Sequence, residues 1–523
     1  MKQIILNLSI SIILLMSFSS CMDKIEDDYT DPDTSTVGYM GNLFTTMLLN
    51  NRIMPTYWDY ATFVTGVTAK YSQFIGIGIT SKMYVPSSDY NEDRWEAYYT
   101  GGIVNQYREI EKTYSNLTAT KQVEQEVYLQ IAKVVYYDQT SQVIDLWGDI
   151  PFSEAGSLNT TNTLTKAKFD DADSIYTTII DGLKTINTFL DTVSVTSSVS
   201  TSLATQDILL GGDLKMWRRY ANSLRLRLLM RISNVSESVA ETAVTEMLND
   251  TTTYPLVESN DQNILLEVNS SNSSFNSSGL ESGLTDAATS NGPIAPEYLL
   301  EDVMVASNDP RTPVFWNKSS AGYVGLPIGS TTTTAESMLS NNLVSTIDSA
   351  TFIMNINVPG VVFTAAEVSF LKAEAYERWG LGTASTAYET GISQSIDFYF
   401  DLNSSAVYSG YSATAETAPT TSEIASFIAG DSIAYSGTTT EKLAKIYTQK
   451  WLNFFILQAG QAWAEYRRTG YPALTFYDDP SYTSALQPPT RLLYPSTETT
   501  YNSTNYAAVS SEDTRDTKIF WAQ

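Results

Sequence analysis

The sequence predicts an all-α, mainly α-helical protein in which paired helices build a scaffold and polar loops cover one side. Three observations lead there. A stretch beginning at Phe363 carries apolar residues at helical spacing in two consecutive segments joined by a glycine-bearing turn. Further amphipathic runs lie at residues 125–145, 215–233 and 441–474. Between and after them, at about 251–361, 401–439 and 473–523, the helical period fades into polar stretches with prolines and glycines at intervals.

Residues 1–20 carry one basic residue, Lys2, and then an apolar run from Ile4 to Phe18. That pattern is a secretory signal peptide, too short for a stable membrane span. It ends in Phe18-Ser19-Ser20-Cys21, and Cys21 is the chain's one cysteine. The run resembles a bacterial lipobox, with Phe18 where leucine is usual and Ser20 where glycine or alanine is usual. Cys21 is therefore the expected lipidation site, and several acyl chains on one residue give stable anchoring where a single chain is marginal. Residues 21–36, with Asp23, Glu26, Asp27, Asp28, Asp31 and Asp33, are acidic and turn-rich, as a flexible tether should be. A calcium loop built on Asp28, Asp31 and Asp33 is the weaker reading, since the loop glycine and final glutamate are absent.

Helical patterns resume near Thr36 and continue with interruptions to Tyr137. Aromatics cluster beside breakers in YWDYATF and DRWEAYYTGG, so Trp58 and Trp95 serve either as helix-packing residues or as pocket walls. The helix at 125–145 runs into DLWGDIPFSEA, where Gly148 and Pro151 stop it. FDDAD opens the next helix with Asp170 as the expected N-cap, an acidic cluster serving capping and not metal binding. KMWRRYANSLRLRLLMRIS then packs six basic residues into one helix. In an acidic protein these are expected to face inward, Arg225, Arg227 or Arg231 pairing with buried acids such as Glu367 or Glu374.

The polar region 251–361 holds Phe275, Trp316 and Tyr323, the last two in SNDPRTPVFW and AGYVGLPIG. Long loops on a helical scaffold are where binding commonly sits. The stretch from Phe363 reads FTAAEVSFLKAEAYERWG, LGT, ASTAYETGISQSIDFYF. Its first helix presents Ala366, Phe370, Leu371, Ala373, Ala375 and Trp379, and Gly380 and Gly382 end it. Its second sets Ala384, Ala387 and Gly391 beside Tyr388, Ile392 and Ile396, so that two antiparallel helices approach closely. This is a helical hairpin of tetratricopeptide type. A single helix is expected over 441–474, ended by Gly470 and Pro472, with Arg467 and Arg468 tied to neighbouring carbonyls or acids.

Composition narrows the function. The 523 residues carry 31 basic and 58 acidic side chains, a net charge of −27 that repels phosphate backbones and argues against nucleic-acid binding. There is no histidine, so Ser-His-Asp triads, Cys-His pairs and His-ligated metal sites are ruled out. One cysteine permits neither an intrachain disulfide nor a thiolate zinc site. The 33 Tyr and 9 Trp suit a sugar- or peptide-facing surface or a well-solvated extracellular one.

Several of these runs carry a family resemblance. AEAYERWG with AYETGISQS, DLWGDIPFSEA, the WRRYANSLRLR helix, AWAEYRRTGYP and PPTRLLYPSTETTYN resemble, in order and over nearly the whole mature chain, the SusD/RagB-like nutrient-binding lipoproteins of Bacteroidota outer membranes. The resemblance implies a SusD-like domain over 37–523, with a helical scaffold at about 37–250, 362–400 and 440–472 and a loop-rich ligand-binding side. It implies a lipid-anchored, surface-exposed outer-membrane protein that binds a glycan or peptide. That nutrient would pass to a SusC-type TonB-dependent transporter, and the role needs no catalytic residue, cofactor or metal. Trp58, Trp95, Trp316 and Tyr323 are the candidate ligand contacts, since aromatic faces stack on sugar rings or peptide side chains. Two other classes stand beside this one. A surface glycoside hydrolase would use two carboxylates about 5 to 10 Å apart, and a structural or adhesion lipoprotein would have no ligand cleft.

Overall fold

In a computed structural model, residues 39–268, 283–284, 293–407 and 414–522 are described. The signal peptide, Cys21, the tether with Asp28, Asp31 and Asp33, and Phe275 lie outside the described residues. The N-terminal helices are α1 (Met40–Leu48), α2 (Ser88–Tyr99), α3 (Val104–Ser115), α4 (Ala119–Trp147), α5 (Ala172–Thr192), α6 (Ser197–Gln206), α7 (Leu214–Ile232) and α8 (Glu237–Asn249). After the polar region follow α9 (Thr332–Ser340), α10 (Ala365–Trp379), α11 (Ala384–Ser404), α12 (Thr421–Ile428), α13 (Thr439–Phe454) and α14 (Ala459–Thr469). Pairs α3/α4, α5/α7 and α10/α11 pack side by side, α13 lies along α10, and α7 bridges the two halves by touching α4, α5, α8 and α10. The all-α expectation thus holds. The strands are short and pair antiparallel in twos: β1 (Ile150–Pro151) with β2 (Phe169–Asp170), β3 (Ile264–Leu266) with β6 (Gly360–Phe363), and β4 (Trp316–Asn317) with β5 (Thr346–Ile347).

The hairpin α10/α11 forms as its sequence dictates. Thr364 caps α10 by accepting from the Glu367 amide, and Gly380 ends it at φ +68°, a left-handed conformation that costs glycine little. A Cβ on Gly391 would lie 2.8 Å from the Phe370 ring. Only glycine therefore lets the two helices cross this closely.

Two large apolar cores result. One gathers α1 to α8 with the C-terminal tail, the other α10, α11 and α13 with Phe315, Trp316 and Phe352. Between them runs a buried ionic network. Arg227 of α7 donates from Nε and Nη2 to both oxygens of Glu367 in α10 at 2.6 and 2.7 Å, and its Nη1 is 3.6 Å from Asp138 of α4. Burial opposes a charge on Arg227, yet Glu367, then Asp138 and Tyr220, hold it above the ordinary guanidinium range. Arg231 lies 3.3 Å from Asp145 and 3.2 Å from Glu465. Arg468 donates to Glu374 at 2.7 and 2.8 Å and to Glu465 at 2.7 Å, and Lys450 sits 2.5 Å from Glu465. Of the pairings expected for the basic helix, Arg227–Glu367 forms. Arg231 instead takes Asp145 and Glu465, and Arg225 lies over the Tyr254 ring, 3.9 Å from Glu246.

Two local expectations are corrected. The run 441–474 is not one helix: it breaks at Phe455, with φ 36° and ψ −148°, and a 3-10 turn, Ile456–Gln458, leads into α14. Positive φ is costly for so bulky a residue. Here it turns the ring into the second core, stacked on Phe315 at 4.3 Å with Phe74 and Trp316 edge-on. The N-cap of α5 is Asp171, which accepts from the Ser174 amide, while Asp170 lies in β2 and accepts from the Phe152 and Ser153 amides. Within the loop-rich region 251–361 lie α9 and π-helical turns at Tyr298–Val305 and Ser349–Ile353.

Breaking one partner of a buried ion pair strands the other charge. Arg227→Met should cost about 3–5 kcal/mol of unfolding free energy, and Arg227→Met combined with Glu367→Leu should recover part of it, Asp138 remaining without its arginine. Chemical denaturation of both variants checks this, and equal losses in the two would show that the penalty does not come from an unpaired Glu367.

Candidate ligand-binding site

Three loop segments meet over the ends of the scaffold helices. Residues 75–79 follow the turn Ala69–Tyr71 and are tied to the polar region by backbone bonds: Gly76 N–H donates to Ile294 at 2.7 Å and Ile79 N–H to Ser330 at 2.8 Å. Leu326 N–H closes on Ala295 at 2.7 Å. A Cβ on Gly325 would fall 2.4 Å from the Glu297 Cα, so this junction requires glycine. The third segment, residues 473–477, is held by Gln73 Nε2 donating to the Thr475 carbonyl at 2.5 Å and by the Tyr84 hydroxyl donating to the Tyr477 carbonyl at 2.9 Å.

Where they converge lies a cleft of about 290 Å³. Tyr84, Tyr298, Phe476 and Tyr477 supply its aromatic walls and Ile328 its rim. Tyr477 and Ile328 remain 43% and 53% exposed, an apolar surface left open to a ligand. Gln73, Glu297, Asp302 and Lys70 supply polar groups. A second pocket of about 240 Å³, closed by Thr332, Ala335 and Glu336, shares Lys70, Ile75, Gly76, Ile77 and Met83 with the first. Lys70 therefore stands in the wall between them, its ammonium donating to the Met83 carbonyl at 2.9 Å. Burial lowers the Lys70 amine to about 8, and burial, followed by the charges of Asp478 and Asp479, pushes the Tyr84 hydroxyl up to about 12. The arrangement suits a ligand with one apolar face and several hydroxyl or amide groups. Among the described residues no cluster of three or more carboxylates or thiols is placed to hold a metal ion, and no helix is long and apolar enough to cross a membrane.

The four aromatics singled out in the sequence are not brought together here. Trp95 lies mid-way along α2, 3% exposed, packed on Trp147, Tyr99 and Tyr494. Trp316 is 1% exposed in β4, edge-on to Phe455, its indole N–H toward the Met304 sulfur. Both are core residues, because α2 and β4 turn those positions inward whatever breakers flank them. Trp58 is 45% exposed, its indole N–H donating to Asp93 at 3.0 Å and its ring against Tyr90. Tyr323 is half-buried, with the Lys318 ammonium over its ring. Tyr84, Tyr298, Phe476 and Tyr477 were not anticipated as ligand contacts, although TFYDDP carries the same signal of aromatics beside breakers.

A family model described as "Starch-binding associating with outer membrane", SusD-like, matches residues 35–495. Among solved structures, the chain is similar to a chitin-binding SusD homolog from Flavobacterium johnsoniae at 21% identity and a TM-score of 0.72, covering 93% of this chain and 99% of that one. It is similar to a Bacteroidetes SusD-like protein at 20% identity and a TM-score of 0.73, covering 93% and 100%. A SusD homolog from Bacteroides fragilis follows at 19% identity and a TM-score of 0.71, covering 92% and 100%. Among curated proteins none matches the chain by sequence.

The contrast among the tryptophans is measurable. Trp95→Ala and Trp316→Ala should each lose about 3–5 kcal/mol of stability, whereas Trp58→Ala should stay within about 0.5 kcal/mol of wild type. Thermal and chemical unfolding of the three variants checks the assignment.

Proposed function

The chain belongs to the SusD-like family, described as starch-binding and associating with the outer membrane, and from that membership we propose a lipid-anchored surface protein that captures a carbohydrate in the cleft around Lys70 and passes it to a SusC-type TonB-dependent transporter. The observation that carries the carbohydrate reading is the cleft wall. Sugar rings bury their apolar faces against aromatic side chains while their hydroxyls bond to amides, carboxylates and ammonium groups, and Tyr84, Tyr298, Phe476 and Tyr477 stand beside Gln73, Glu297 and Lys70. The chitin-binding activity named for two similar structures agrees with a glycan in preference to a peptide. Trp58, with nearly half its surface free, offers a further stacking face, and Tyr323 a half-buried one. Capture requires no general base or nucleophile, so the protein acts as a binder and not as an enzyme.

Isothermal titration with chito- and malto-oligosaccharides tests the site. Tyr477→Ala should weaken the ligand about tenfold, a loss of about 1.4 kcal/mol, with an unchanged melting temperature because the ring is already partly exposed. The oligosaccharide should be recovered uncut. Wild-type affinity in both Tyr477→Ala and Phe476→Ala would move the site elsewhere, and shortened sugars would mark a hydrolase.

Anchoring and partnership have their own test. Cys21→Ala should abolish incorporation of labelled fatty acid and release the protein from membranes. Purification of the tagged wild type in mild detergent should recover a co-encoded outer-membrane barrel, and repeated failure to recover one would end the transporter reading.

A further inference from the structure

A third cavity, away from the aromatic cleft, lies between α2, α4 and α14. It holds about 100 Å³, and its walls run from exposed Gly460 and half-buried Gln142 and Leu457 inward to Arg52 and Arg94. Arg52 is 5% exposed. Its Nε donates to Gln139 at 3.1 Å and its Nη1 to the Arg94 carbonyl at 3.2 Å, while Nη2 has no partner. No carboxylate among the described residues lies within ion-pair distance of Arg52, unlike its neighbours: Arg94 reaches Asp59 at 3.3 Å, Arg227 reaches Glu367 and Arg231 reaches Asp145. Arg94 itself keeps an unpartnered Nε.

Burial, and next the repulsion from Arg94, push Arg52 well below the ordinary guanidinium range; Arg94 outweighs the attraction of either Asp59 or Asp138. Two acids do line the cavity, but both are already committed. Asp138 accepts from Tyr220 and Gln142 and faces Arg227, and Asp145 accepts from Tyr176 and Trp521 and faces Arg231. The unmatched charge at this site is positive. Water can satisfy a free N–H but cannot neutralise a buried guanidinium, and an uncompensated buried charge is costly. A planar fork of N–H donors matches a carboxylate, and a space worth about three water volumes accommodates one small enough to carry a methyl group or less.

We propose that this cavity is an anion site that takes a small free carboxylate such as formate or acetate, held by Arg52 with Arg94 and screened by the glutamines of α4 and α14. Its role is to close the charge balance where the N-terminal turn at residues 51–54 meets those helices, independently of carbohydrate capture.

The test uses the purified protein and sodium formate, in a buffer whose other anion is gluconate, a carboxylate much bulkier than formate or acetate. Saturation-transfer NMR should show formate binding that excess acetate displaces and added gluconate does not. The transferred signal should fall at least fivefold in Arg52→Met. Titrating acetate against gluconate at constant ionic strength should raise the wild-type melting temperature by about 2–4 °C and leave that of Arg52→Met unmoved. If Arg52→Met does not fold, Arg52→Lys, which keeps the charge and loses the fork, should weaken formate at least threefold. No transfer to formate in the wild type, displacement by gluconate as readily as by acetate, or an undiminished signal in the folded variant would each overturn the site and leave a cavity filled by water alone.

Discussion

The buried ionic network is the constraint on which the rest of the structure depends. Asp138 and Asp145 of α4, Arg227 and Arg231 of α7, Glu367 and Glu374 of α10, Lys450 of α13, and Glu465 and Arg468 of α14 are all nearly sealed from solvent. Each charge is tolerable only while its partners stay within reach, so five helices from distant parts of the chain must keep one registry. Apolar packing alone would allow small slips along a helix axis; a bidentate contact such as Arg227–Glu367 does not. Burial would by itself raise the Glu465 carboxyl, yet Arg468, Lys450 and Arg231 together hold it well below the usual range.

The C-terminal tail is stitched to the same centre. Trp521 donates to Asp145, the carboxylate that also accepts from Tyr176, and Leu492 N–H donates to Leu146 near the end of α4. Trp147, in the DLWGDIP exit of that helix, donates to the Leu493 carbonyl. The segment 473–477 lies between α14 and this tail, so the helix that completes the network also sets the chain that walls the aromatic cleft. Scaffold and candidate site are joined through covalent continuity and not through a lengthy relay of contacts.

The two kinds of aromatic residue explain why the candidate site was only partly legible. Trp95 and Trp316 have the sequence surroundings of pocket residues and the environment of core residues. Phe476 and Tyr477 have the same surroundings and line a cleft. What separates them is which way the local backbone faces once α2 packs on α4, or once β4 pairs with β5. A pattern of neighbours along the chain does not carry that information. The break at Phe455 is a similar case: nothing in WLNFFILQ disfavours a helix, and the positive φ is repaid by a ring placed at the centre of the second core.

From the sequence alone came the all-α class, the hairpin with its Gly380 stop, the close approach at Gly391, the inward pairing of an arginine of α7 with a buried glutamate of α10, and the likeness to SusD-type proteins. These follow from helical periodicity, from capping chemistry and from the cost of a buried charge, all of which act over a few residues or compel a partner to exist. The tertiary structure alone decided which acids Arg231 and Arg468 would take, where the long C-terminal helix would break, and which aromatics would remain open. Those outcomes depend on distances between segments up to four hundred residues apart, as between Tyr84 and Tyr477, and such distances exist only after the chain has packed.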